Sequence, residues 1–145
     1  MGLQVIVRRA GCGPLLFDRH MFSMLVLNRL DGRCVVCGEP AVDAHHLIDR
    51  SLFDDGGYYL ENGVGLCSEC HLLAEYCVID PDDLREMADM DVVLLPGDFD
   101  GCRRYDKWGN VIGDDGARHP GPLFHEERVQ KSLRQRGRIK DFHFA

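Results

Sequence analysis

No apolar run in this 145-residue chain approaches the roughly 20 residues that a membrane-spanning helix needs. The opening Met1–Arg9 lacks the form of a secretory signal, because its apolar stretch is short and Arg8 and Arg9 follow it. A Ser or Thr is missing from position 6, where Ile6 stands, so Gly2 does not complete a myristoylation signal. An even cysteine count is missing too. Seven cysteines without a secretory signal argue against a disulfide framework and for a reducing, cytoplasmic setting with thiolate–metal chemistry. Internal repeats and low-complexity tracts are absent. So is an excess of basic charge: 17 Lys and Arg stand against 24 Asp and Glu, for a net charge of −7. Nucleic-acid-binding domains are usually basic.

The deficit is local, however. Residues 1–33 carry 5 basic against 2 acidic side chains, residues 34–100 carry 2 against 16, and residues 101–145 carry 10 against 6. A polyanion would be gripped by the two ends, with carboxylates, thiols and imidazoles supplied by the middle. The length suits one globular unit with a real core. Within it, 1–33 reads as an N-terminal strand and helix packed on the centre, 34–79 as the central unit, and 80–145 as a helical and basic extension.

The centre runs from Cys34 to His71. Cys34-Val-Val-Cys37 and Cys67-Ser-Glu-Cys70 bracket the doublet His45-His46 and Asn62, and His71 follows the last cysteine. Each CxxC turn aims two thiolates at one point, and two such turns make a closed four-sulfur zinc site. That site is saturated, which frees His45, His46 and His71 for other work. Cys12, Cys77 and Cys102 read as ordinary thiols.

Local patterns place these residues. Leu3–Val7 reads as a short edge strand. Phe17–Leu30 reads as an amphipathic helix with Asp18 as N-cap. Ala41–Ile48 and Tyr58–Leu66, the second interrupted by Glu61-Asn62-Gly63, read as two antiparallel strands, and Cys67 opens a helix reaching about Tyr76. Asp80-Pro81 starts a helix running to about Met90. Val92–Leu95 reads as a short strand, Tyr105–Ile112 as a hairpin turning at Gly109-Asn110, and Gly113–Pro122 as loop. Leu123–Arg136 reads as a last helix with Arg128, Lys131 and Arg134 on one face. Trp108 and Tyr105 read as core or hairpin residues rather than base-stacking platforms.

The Cys34–His71 pattern resembles the HNH endonucleases, in their zinc-bearing form. The cysteine pairs, the His-His-Leu-Ile doublet, the Gly56-Gly57 loop, Asn62 ahead of Leu66-Cys67, and Cys70-His71 carry the likeness, over about a quarter of the chain. The resemblance implies an α+β fold: a small ββα-metal core with a structural zinc site, flanked by additional helices. It implies that His45 and His71 hold a catalytic divalent ion (Mg, Mn, Ni or Zn). His46 is then the general base, and Asn62 bridges the loop between the strands to hold it. Cys34, Cys37, Cys67 and Cys70 hold the zinc. Glu75 occupies a slot where some relatives carry a further ligand, and it reads here as a solvated helix residue.

The implied reaction is hydrolysis of phosphodiester bonds in DNA, with RNA as the alternative polymer, leaving 5′-phosphate and 3′-hydroxyl. One site per chain implies nicking, and double-strand cutting would need a homodimer. Arg128, Lys131, Arg134, Arg136 and Arg138 are the candidate phosphate contacts. The setting implied is a bacterial or phage-encoded intracellular protein. Neighbouring strand residues face opposite ways, so a bulge is expected at the doublet to bring both imidazoles to one site. The competing reading is a non-catalytic zinc module that binds nucleic acid or a protein.

Overall fold

Asp18 starts the first helix, its carboxylate accepting a 2.8 Å hydrogen bond from Met21 N. The helix α1 spans Arg19–Asn28 and buries Phe22 and Val26, one turn apart. These coordinates are a computed structural model and describe residues 6–144. Leu3, Gln4 and Val5 of the expected first strand lie outside the described residues.

Phe22 and Val26 meet a two-stranded antiparallel sheet. Strand β2 spans Asp43–His46 and β3 spans Gly63–Leu66, with His45 opposite Val64 and His46 opposite Gly63. Helix α2, Ser68–Glu75, follows at once. The order strand, strand, helix is the outline expected for the centre. Its core gathers Cys34, Leu47, Val64, Leu66, Cys70, Ala74 and Leu84. Arg29 ties α1 to this unit by donating to Gly63 O at 2.8 Å and Leu60 O at 2.6 Å.

Gly63 sits where α1 crosses the sheet. A Cβ there would lie 2.7 Å from both Phe22 Cζ and Val26 Cγ2. Gly63→Ala is therefore expected to cost about 1–3 kcal/mol by overpacking. The check is a lower thermal midpoint with metal content unchanged.

The remaining strands join distant segments. Strand β1, Ile6–Arg9, pairs in parallel with β4, Val92–Leu95. Strands β5, Arg104–Tyr105, β6, Val111–Ile112, and β7, Arg118–His119, form a three-stranded sheet. Helix α3, Pro81–Met87, has Pro81 in its first turn, and Asp83 Oδ2 accepts from Asp80 N at 2.9 Å. Helix α4, Glu127–Arg134, buries Val129 and Leu133 against Trp108, Leu123, Phe124 and Phe142.

Two expectations fail in this half. Residues 113–122 were expected as loop but contain β7. The buried Arg118 draws that strand in, reaching Asp106 Oδ2 at 3.0 Å and Asp80 Oδ2 at 2.6 Å. The last helix starts at Glu127 rather than Leu123, because Leu123 and Phe124 turn inward to pack in the core. Trp108 is buried, as expected of a core residue. Among the described residues no helix is long and apolar enough to cross a membrane.

Candidate functional site: two clusters of ligating side chains

The four cysteines meet in space. Their sulfurs all lie within 4.8 Å of one another, and Cys37 Sγ stands 3.7 Å from Cys67 Sγ. A zinc tetrahedron with Zn–S bonds of about 2.3 Å has edges of about 3.8 Å. The arrangement is zinc-binding. The first turn closes through Gly38 N donating to Cys34 O at 3.0 Å, with Gly38 at φ +79°, a conformation that suits glycine. The second turn is the start of α2, where Cys67 is the N-cap and Cys70 N donates to its sulfur. Burial alone would raise the Cys34 thiol, but backbone hydrogen bonds at Cys37, Cys67 and Val36 bring it down to about 7. Burial and the neighbouring sulfurs push Cys70 up. A cation at the centre reverses that penalty, because a coordinating thiol is held as thiolate. Cys12, Cys77 and Cys102 stand apart as free thiols, with Cys77 buried.

None of the three histidines belongs to that cluster. His45, on β2, is fully buried, and its Nδ1 has no hydrogen-bond partner. His71, one turn into α2, lies edge-on to it with ring centroids 5.1 Å apart. Two carboxylates hold the His71 ring: Nδ1 is 2.9 Å from Asp43 Oδ2, and Nε2 is 3.0 Å from Glu75 Oε1. Glu75 Oε1 also lies 3.9 Å from His45 Nδ1. Ligand atoms of His45, His71 and Glu75 all fall within 4.8 Å of one another. If Nδ1–H donates to Asp43, the His71 Nε2 lone pair could join Glu75 and His45 Nδ1 in holding a divalent ion. The orphaned His45 nitrogen is satisfied by such an ion, so these residues fit the group.

Glu75 is thus a member of the cluster and not a solvated residue. The helical i, i+4 spacing from His71 carried that signal. Asp43 also had one, since it lies two residues before His45 on the same face of β2.

His46 points the other way. Its ring stacks on Phe22 at 4.7 Å and meets Tyr58 edge-on at 5.3 Å. Its Nε2 is buried and unpartnered. The expected bulge is not there: β2 and β3 pair without interruption from Asp43 to His46. His45 and His46 face opposite ways as in any strand, and a cavity of about 450 Å³ is lined by both.

Asn62 is fully buried behind the doublet. Its Oδ1 accepts from Ile48 N at 2.9 Å, and its Nδ2 donates to Ile48 O at 3.0 Å and Gly57 O at 3.3 Å. It staples the loop between β2 and β3.

Charge in the cavity is balanced. Asp43, Asp49 and Glu75 line it with Arg19, Arg50 and Lys107. Burial, with Lys107 next, lowers His45 well below the usual histidine range and brings His46 to about 4. The hydrogen bond to Glu75, then Asp43, raises His71. Burial alone would raise Glu75, but His71 and Lys107 hold it below the ordinary range.

No family model, curated protein or solved structure matches this chain.

The basic residues of the C-terminal segment lie mostly elsewhere. Arg128 donates to Asp49 Oδ2 and Ser51 Oγ, both at 3.1 Å, and covers Trp108 at 5.2 Å. Arg138 donates to Cys77 O at 2.8 Å, and Arg134 to Gln130 Oε1 at 3.2 Å. Lys131 and Arg136 are exposed. None of the five lines the histidine cavity. The cations that do, Arg19, Arg50 and Lys107, come from three distant segments with no shared motif.

Proposed function

We propose that the chain is a metal-dependent endonuclease of the HNH type, hydrolysing phosphodiester bonds in DNA to 5′-phosphate and 3′-hydroxyl ends. One observation carries the reading. A three-ligand set, His45, His71 and Glu75, opens into the same cavity as a second, unpartnered imidazole, beside a separate cysteine cluster. The order β2, β3, α2 supports that reading, since the resemblance implies two strands followed by a helix.

His46 is the general base. Burial brings the pKa of its ring down to about 4, its Nε2 is unspent, and Phe22 and Tyr58 hold its plane. It takes a proton from the water that attacks phosphorus as the bond to the 3′ oxygen breaks. Asn62 acts through the backbone, fixing Ile48 two residues past the base. Asp43 orients His71. His45, His71 and Glu75 would hold a divalent ion, which would supply Lewis acidity to the site. Arg19 and Arg50, exposed at the rim, suit the flanking phosphates, and Arg128, Lys131, Arg134, Arg136 and Arg138 a more distant stretch of the polymer.

The alternative of a non-catalytic zinc module rests on the cysteines alone. It leaves the two buried, unpartnered histidine nitrogens without a purpose. Supercoiled plasmid incubated with the chain and Mg, Mn or Ni is expected to become nicked circles, and EDTA is expected to stop it. No conversion with any ion would overturn the reading. An RNA panel run beside it separates the two polymers.

A further inference from the structure

One wall of the histidine cavity comes from outside the β2–β3–α2 unit. Lys107 lies in the β5–β6 turn, 5% exposed, and lines the cavity with His45, His46, His71 and Glu75. Its Nζ donates to the backbone oxygen of His46 at 3.1 Å. The nearest carboxylate oxygens, Glu75 Oε1 and Asp49 Oδ1, stand at 3.7 and 3.9 Å, beyond hydrogen-bond range. Both have closer partners: His71 for Glu75, and Arg128 and Ser51 for Asp49.

An ammonium carries three donors, and this one spends a single one on the protein. Keeping the rest unspent in a buried place is costly unless an acceptor arrives there. The cavity is polar, and its Glu75 and Asp49 carboxylates stand too far from Nζ to take up those donors.

The turn that delivers Lys107 is held firmly. Asp106, fully buried, accepts from Trp108 N, Asn110 N, Asn110 Nδ2 and Arg118 Nη1 at 2.9–3.0 Å. Lys107 O accepts from Asp49 N at 2.9 Å, and Trp108 Nε1 donates to Glu75 O at 3.0 Å. The hairpin is thus pinned to two of the segments that carry the site. Backbone and Trp108 do the pinning, and the ammonium they deliver stands 5.1 Å over the Trp108 ring and beside the Glu75 and Asp49 carboxylates.

We propose that Lys107 is a further catalytic residue whose ammonium binds a non-bridging oxygen of the scissile phosphate in this cavity. The proposal rests on the nuclease reading above. Of the three cations lining the cavity, Lys107 alone is buried. A fixed, buried positive charge favours the extra negative charge that phosphorus oxygens gain as water adds.

The test uses bis(4-nitrophenyl) phosphate, which removes sequence preference from the assay, with the full chain loaded with zinc and Mn. Lys107→Met is expected to lower kcat about 10²- to 10³-fold, the usual effect of removing one transition-state donor. Mn content and thermal midpoint should stay close to the parent. Lys107→Gln keeps a donor for His46 O and loses the charge, so it should fall equally; this variant also decides the matter if Lys107→Met does not fold. Either soluble variant turning over like the parent would overturn the proposal. So would a loss matched by lost Mn or a fallen midpoint, which marks a structural residue. Binding of inorganic phosphate to the Mn-loaded chain needs no turnover, and it should weaken at least tenfold in both variants. A parent chain that hydrolyses nothing, yet shows that phosphate difference, fails the nuclease reading while keeping Lys107 as the anion contact. Equal phosphate binding in parent and variants overturns Lys107 itself.

Discussion

Replacing His46 by alanine is expected to slow phosphodiester cleavage about 10²- to 10⁴-fold, the usual worth of a positioned general base. The surroundings of the ring suit that task. Phe22 stacks on one face, Tyr58 meets it edge-on, and its buried Nε2 has no partner among the described residues. Lys107 donates to the His46 backbone, not to the ring, so the main-chain anchor survives the substitution. Loss of the ring leaves a gap beside Phe22, and the thermal midpoint should drop modestly while both metal sites remain loaded. The measurement is the single-turnover cleavage rate at saturating metal. A variant as fast as the parent removes His46 from the mechanism.

Stripping zinc from the cysteine cluster is expected to unfold the centre of the chain. Structural zinc sites bind with about 10–16 kcal/mol of apparent free energy, against about 5–15 kcal/mol for the net stability of a domain. Cys34 and Cys70 are themselves core residues, packed with Leu47, Val64, Leu66 and Leu84. Burial and its sulfur neighbours also push Cys70 up, so without a cation nothing offsets the cost of holding that buried sulfur as thiolate. Cys70→Ser should lose zinc and lower the thermal midpoint far more than Gly63→Ala does. A chelator should produce the same loss in the parent, with all four thiols becoming reactive. Unchanged circular dichroism and unchanged melting after zinc is removed would contradict the structural role.

Local chemistry was the most legible layer. Asp18 and Asp80-Pro81 announce helices because capping is settled within one turn of chain. The CxxC pairs announce their cluster because three-residue spacing already aims both sulfurs. The positions of His45, Asn62 and His71 followed from the same stretch, and the structure gathers His45 and His71 into one cluster with Glu75. The failures share a cause. β7 exists because Arg118 reaches Asp80 and Asp106, 38 and 12 residues away. Lys107 reaches the histidines across 61 residues. No periodicity encodes either contact. The bulge was expected on the assumption that both imidazoles need one face of β2, whereas the cavity is lined from both sides of a regular strand. Glu75 and Asp43 did leave a local signal, at i+4 from His71 and two residues before His45.

Counting ions tests the account most directly. A zinc-loaded chain titrated with Mn, followed by calorimetry and elemental analysis, should retain its zinc and take up one further ion. His71→Ala, which removes one imidazole from the three-ligand set and touches no sulfur, should keep the zinc and take up none. A parent chain that accepts no second ion, or a His71→Ala chain that accepts it as tightly as the parent, would show that this pocket does not hold a metal.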